Sequence, residues 1–219
     1  MEHDLGPAVS RAGADGEGNL TEWLLRGFAV LLFGYFVFRQ GYAWWADTSR
    51  WTLLLWLLIE GYTLMLLLLA RRASARDMTP MSVVATLYAV VFVVLIDVRD
   101  TQHLVPEWAG VMLQNAGAAW QISAKVFLGR SFGLLPAQRG LVLSGPYRLM
   151  RHPMYFGYLI AHAGFLLANF SWRNAAVLAL LYVAQMYRIR REEAVLAATS
   201  AEYRAYQQRV RWRLLPFVY

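Results

Sequence analysis

From Trp51 to Ala70 run twenty residues with a single charged side chain, Glu60. A bilayer core about 30 Å thick is crossed by roughly 20 residues of helix, and in lipid a spanning backbone is satisfied by helices or closed barrels. This run therefore predicts a transmembrane helix. Similar runs recur at Trp23 to Phe38, Met81 to Ile96, Trp108 to about Leu128, Met154 to Phe170 and Ala175 to Tyr187. The last two are joined only by Ser171 to Asn174 and read as a helical hairpin. The expected fold is an all-α integral membrane protein with about six transmembrane helices, or five if the short hairpin only partly crosses. Composition agrees: 58% of residues are hydrophobic and 16% charged, with a mean hydropathy of +0.37, too apolar for an ordinary soluble domain.

Orientation follows from arginine, because Lys125 is the one lysine. Arg71, Arg72 and Arg76 follow the second run, Arg130, Arg139, Arg148 and Arg151 lie between the fourth and fifth, and a dense set from Arg188 to Arg213 follows the sixth. The opposite loops hold little beyond Arg50, Arg99 and Arg173. The positive-inside rule then places both termini and the 129 to 153 loop in the cytoplasm, with a bacterial inner membrane as the expected location. The net charge of +7 becomes a topology signal with some anionic-lipid contact, and nucleic acid is not an expected partner. No obligate protein partner is evident.

Residues 1–21, glycine-rich and acidic, read as a disordered tail without a signal-peptide pattern. Residues 22–128 hold the first four helices and 129–219 the loop, hairpin and C-terminal helix. The absence of cysteine excludes disulfides, thiolate metal sites and a cysteine nucleophile. No metal site is expected.

Gly145 to Tyr155, GPYRLMRHPMY, sits directly before an apolar run yet packs arginines, a histidine and two tyrosines together. Pro153 suits the first turn of a helix, where its missing N–H has no intrahelical partner. The residue before a proline is pushed toward extended backbone, so His152 is expected outside the helix, at the water interface, either touching a ligand or bonded structurally. Gly157, Ala161, Gly164 and Ala168 then form a stripe of small residues that admits a neighbouring helix closely. His162 beside it reads as a bonded interior histidine.

In the later segment YRIRREEAVL, Arg188 and Glu192 are four apart and share a helix face. They form either a surface ion pair or a site, with the arginine holding an anionic group and the carboxylate accepting from a hydroxyl or ammonium of a ligand. Glu60, in mid-span, costs at least about 2.5 kcal/mol if ionised and marks either substrate binding or a buried partner. Gln114, Gln121 and Lys125 share one face of the fourth run, lining a polar cavity or facing the bundle interior. Thr199 and Glu202 have capping-box spacing, and Tyr203, Tyr206 and Val210 share one face of an amphipathic cytoplasmic helix expected to lie against the membrane.

GPYRLMRHPMYFG, then RIRREEAVL, then AEYRAYQQRVRWRLLP in that order resembles the C-terminal half of the isoprenylcysteine carboxyl methyltransferase family and its relatives, the membrane phospholipid methyltransferases, over roughly Gly129 to Pro216. The resemblance implies a helical membrane enzyme that uses S-adenosylmethionine without a soluble Rossmann domain, with residues 129–219 as the cofactor-binding and catalytic region. It implies cofactor contacts at Arg139, Gly140, Leu141 and Val142, at Tyr147, His152, Pro153, Met154 and Tyr155, and at Glu192. Arg188 matches the arginine thought to face substrate, and so is the implied catalytic residue. The family often has histidine where Arg139 stands.

The implied acceptor is lipophilic or amphiphilic, either a prenylcysteine-like carboxylate or a heteroatom of a phospholipid or small molecule. Two other classes share parts of the pattern. Membrane sterol reductases have a similar C-terminal RHP segment but use NADPH and usually more spans. A non-catalytic membrane protein could bind anionic lipid through the basic loop.

Overall fold

The computed structural model describes residues 9–11, 16–46, 48, 51–71, 73–96 and 101–215. Seven helices dominate them: α1 (Gly16–Ala46), α2 (Trp51–Leu69), α3 (Pro80–Leu95), α4 (Glu107–Leu128), α5 (Pro153–Ala168), α6 (Trp172–Thr199) and α7 (Ala201–Arg209). Their starts follow local chemistry. Proline opens α3 and α5 and directly precedes α4, at positions where the missing N–H breaks no helical bond. At Thr79 and Ser171 a side-chain oxygen accepts from the backbone N–H three residues on, which caps α3 and α6.

The helices pack in pairs: α1 with α2, α3 with α6, and most extensively α4 with α5. The expected α5–α6 hairpin is therefore splayed, since its two arms leave the Ser171 turn, meet through side chains rather than by close backbone approach, and pack mainly on other partners. The small-residue stripe explains the choice. Gly157, Ala161, Gly164 and Ala168 face Gly110 and Gly117 of α4 so closely that a Cβ on Gly164 would stand 2.7 Å from the Gly110 carbonyl and 2.8 Å from the Gln114 nitrogen. Trp120 reinforces this seam by donating its indole N–H to the Pro153 carbonyl at 3.0 Å.

Four departures from the sequence reading follow. A small antiparallel sheet, β1 (Val9–Arg11), β2 (Ala75–Asp77) and β3 (Ala137–Gln138), joins the otherwise all-α fold; strands this short carry no legible alternation. With β1 paired and α1 starting at Gly16, part of the stretch assigned to a disordered tail has defined structure; residues 1–8 and 12–15 of it lie outside the described residues. The α7 cap is Ser200, which accepts from Tyr203 N, while Thr199 bonds back to the Val195 carbonyl and ends α6. The Tyr203, Tyr206 and Val210 face packs on Leu141, Leu143 and Leu196 of the chain itself, not against a bilayer.

Among the described residues, the segment Trp23–Ala46 is long and apolar enough to cross a membrane, and α3 and α5 are apolar helices of 16 residues. α6 continues unbroken past its apolar part. Its 28 residues make a rod about 42 Å long at 1.5 Å per residue, which carries Arg188, Arg191, Glu192 and Glu193 on the same rigid element as Leu178.

The α4–α5 seam makes a direct prediction. Gly164→Ala drives a methyl group into α4 backbone and should lower stability in detergent by about 1–3 kcal/mol, as overpacking does. Gly61→Ala, whose Cβ meets nothing within 4 Å, should leave the unfolding midpoint unchanged or slightly raised. Equal midpoints for both variants would contradict the seam.

Candidate functional site

His152 caps α5 with φ −127° and ψ 58°, outside the helix as its place before Pro153 requires. It does not face water, however, and is only 5% exposed. The C-terminal segment covers it: Arg151 N donates to the Trp212 carbonyl at 2.9 Å and His152 N to the Arg213 carbonyl at 2.8 Å, like a short strand pairing. Beneath this strap lies Glu193. One of its oxygens accepts from His152 Nε2 at 3.1 Å, and the other pairs with Arg151 Nη1 at 3.1 Å and Arg213 Nε at 2.9 Å. Burial alone would raise the Glu193 carboxyl, but the His152 hydrogen bond and the charges of His152, Arg151 and Arg213 hold it below the usual carboxylate value. The sequence reading gave Glu193 no role.

Glu192, one residue earlier, points elsewhere. It is half-buried and has no side-chain hydrogen bond or ion pair among the described residues. Its charge acts on the Tyr147 and Tyr155 hydroxyls. Tyr147 is buried on the 3₁₀ turn Gly145–Arg148, with its hydroxyl pushed well up, first by burial and then by Glu192. That turn is pinned from the far side, where Tyr206 donates to the Tyr147 carbonyl at 2.6 Å. Gly145 takes φ +59° here, and a Cβ would strike the Phe127 ring.

Tyr155 lines a cavity of about 420 Å³ bordered by α1 to α6 and the loop after α4, and it also feels the charge of Glu192. Arg188 lines the same cavity, its guanidinium 5.9 Å from the Tyr155 ring, with Nη1 donating to Gln185 Oε1 at 2.9 Å and Nη2 to the Leu134 carbonyl at 2.5 Å. Gln114, Gln121 and Lys125 also line it, which settles in favour of a cavity what their shared face left open. Arg188 and Glu192 thus lie one turn apart without pairing, each beside Tyr155. His162 is bonded, with Nδ1 2.9 Å from the Tyr182 hydroxyl.

The remaining residues of the implied cofactor set are spread along the loop and the start of α5. Arg139 is buried and donates to the Leu135 carbonyl at 3.1 Å, with its guanidinium lying against Gly133. Gly140 is exposed at φ +119°, and Leu141 and Val142 are half-buried, with Leu141 packed on α7. Pro153 is fully buried, and Met154 lines the cavity beside Tyr155. Glu60 belongs to α2, but its side chain lies outside the described residues.

One cluster has no counterpart in the sequence reading. Asp77, fully buried on β2, accepts from Arg191 Nε at 2.5 Å, from Thr79 N at 3.0 Å and from the Ser82 hydroxyl. It ties the sheet and the start of α3 to α6 at the residue before Glu192. An RD pair in a basic loop gives no sign of this in sequence, because its partner lies 114 residues away.

Residues 108–202 match the family model of the phospholipid methyltransferases. The match takes in nearly all of α4, the loop, α5, α6 and the first two residues of α7, so it begins earlier and ends earlier than the resemblance read from the motifs. It bears out the family on the region that builds Glu192, Tyr147, Tyr155 and Arg188. That family is one of membrane-associated methyltransferases. No curated protein matches the chain.

The Glu193 network predicts a pH dependence. Its folded value is depressed, so its stabilisation is present above the ordinary carboxylate value of 4.5 and fades as pH falls through the folded value. Glu193→Gln should therefore unfold at lower temperature than the unaltered protein at pH 7, and the gap should shrink as the pH is taken from 7 to below 4.5. A gap that stays constant in thermal scans across this range would contradict the assignment.

Proposed function

We propose, from the match of residues 108–202 to the phospholipid methyltransferase family model, that this chain is an integral membrane enzyme that transfers a methyl group from S-adenosylmethionine to a lipophilic or amphiphilic acceptor. The observation that carries this reading is the position of Tyr155, which lines a largely apolar cavity and also feels the charge of Glu192, a carboxylate without a side-chain partner among the described residues. A polar ligand and an apolar one can meet at such a position.

The residues fit the cofactor. A carboxylate with no side-chain partner among the described residues is suited to accept from ribose hydroxyls or an ammonium, which gives Glu192 its role. The faces of Tyr147 and Tyr155 suit a sulfonium cation. When bound, the cofactor supplies an activated methyl group whose transfer leaves a neutral thioether, so no protein acid is needed for the leaving group. The work of the chain is then alignment and exclusion of water. Tyr206, Glu193 and the C-terminal strap hold the 3₁₀ turn and His152 rigid, and Arg188 orients the acceptor from the cavity side. His152, Arg139 and Pro153 serve as supports of this wall, since their polar groups are bonded within the fold.

A bilayer setting is supported by the surface. Leu31 and Phe38 on α1, Val94 on α3, Met112 on α4 and Val183 on α6 are all more than 60% exposed, and apolar surface on this scale is normally covered by lipid or protein. We read α1 to α6 as the six spans, with the arginine-rich side cytoplasmic and α6 leaving the membrane near Tyr187.

Calorimetric titration of the purified protein with S-adenosylhomocysteine tests the reading. Binding is expected, and Glu192→Gln should weaken it by about tenfold or more, the worth of a hydrogen bond to a charged group at about 1.5–3 kcal/mol. No binding, or undiminished binding to the variant, would sink the assignment of this wall to the cofactor.

A further inference from the structure

The cavity beside Tyr155 contains an electrostatic imbalance. Its described lining includes two cationic side chains, Lys125 and Arg188, and no Asp or Glu. Lys125 is 2% exposed, Arg188 9%. Neither forms an ion pair among the described residues. Lys125 Nζ donates to Thr63 Oγ1 at 2.7 Å and sits 5.6 Å above the Tyr158 ring, which leaves two of its three N–H groups without an acceptor there. Arg188 uses both terminal nitrogens, but its Nε is buried and has no hydrogen-bond partner.

Charge removed from water is retained in proteins where it is paired or fully hydrogen-bonded. Here aromatic faces supply part of the compensation. Arg188 lies over Tyr155 and Lys125 over Tyr158, and the two rings meet edge-on at 6.3 Å. The cations are thus arrayed along one aromatic wall from α5, one contributed by α4 and one by α6. The rest of the lining includes Phe92, Val93 and Phe165, which suit a hydrocarbon tail and offer no counter-charge.

We propose that Lys125 is a specificity-determining residue: with Arg188, which the family resemblance already turns toward substrate, it selects an acceptor whose anionic head group sits between the two cations and whose tail follows the apolar lining. This rests on the methyltransferase reading for the word acceptor; the charge selectivity of the cavity does not depend on it. An anionic group completes the pairing of both cations and reaches the idle donors. A cationic head group meets two like charges, which disfavours it.

The test uses the full-length protein in neutral detergent and displacement of a fluorescent long-chain carboxylate by four amphiphiles of one chain length: a carboxylate, a phosphate monoester, an alcohol and an amine. The carboxylate or the phosphate should displace the probe at least about tenfold better than the alcohol and the amine, as charge-assisted pairing requires, and the better of the two names the head group. Lys125→Gln should reduce this ratio severalfold, and Lys125→Arg should restore most of it. A solely structural lysine would change the unfolding midpoint and leave the ratio alone. Equal competition by the amine, no binding of the probe, or an unaltered ratio in Lys125→Gln overturns the proposal; the first two outcomes need no variant to fold. S-adenosylhomocysteine titrated into the same samples separates the claims. Cofactor binding without anion selectivity defeats this inference alone, whereas anion selectivity without cofactor binding defeats the methyltransferase reading.

Discussion

A buried carboxylate that takes an imidazole and two guanidinium groups at once fixes three parts of the chain together. Glu193 belongs to α6, His152 and Arg151 to the entry of α5, and Arg213 to the C-terminal strap. Removing one partner from such a network strands the remaining charges and costs about 3–5 kcal/mol. The arrangement also explains why Glu192 is left over. Adjacent positions on a helix point about 100° apart, so once Glu193 is directed into the strap, Glu192 is turned toward Tyr147 and Tyr155.

The same rod sets the cavity. α6 packs on α3 while α5 packs on α4, and the space between the two pairs becomes the chamber with Tyr155 and Arg188 at one end. Two independent ties hold α6 in that position, Glu193 to the strap and Arg191 to Asp77 on β2. The glycine seam between α4 and α5 has the complementary effect. By drawing these helices into backbone contact it commits α5 away from α6, so the chamber follows from close packing next door.

Much of this was legible in sequence, for reasons tied to particular residues. Proline at 153 marks a helix start chemically, and α2, α3 and α4 lie within one residue of the apolar runs that predicted them. The small-residue stripe on α5 was visible, but a stripe names no partner, and the short connection to α6 pointed to the wrong one. α6 outran its apolar segment because the arginines and glutamates that end hydrophobicity are good helix formers. Glu193 and Asp77 were illegible, since their meaning depends on partners 20 to 114 residues away. The motif order GPYRLMRHP…RREE carried the family, and residues 108–202 match it.

The central claim is that a methyl group passes at Tyr155 from a ligand held at Glu192 to one held in the chamber. The most direct measurement is mass spectrometry of a membrane lipid extract incubated with the purified protein and S-adenosylmethionine bearing a deuterated methyl group. The account predicts one amphiphile class that gains the labelled methyl with the unaltered protein and not with Glu192→Gln. Labelling absent from every species, although the protein is folded and binds S-adenosylhomocysteine, would contradict it.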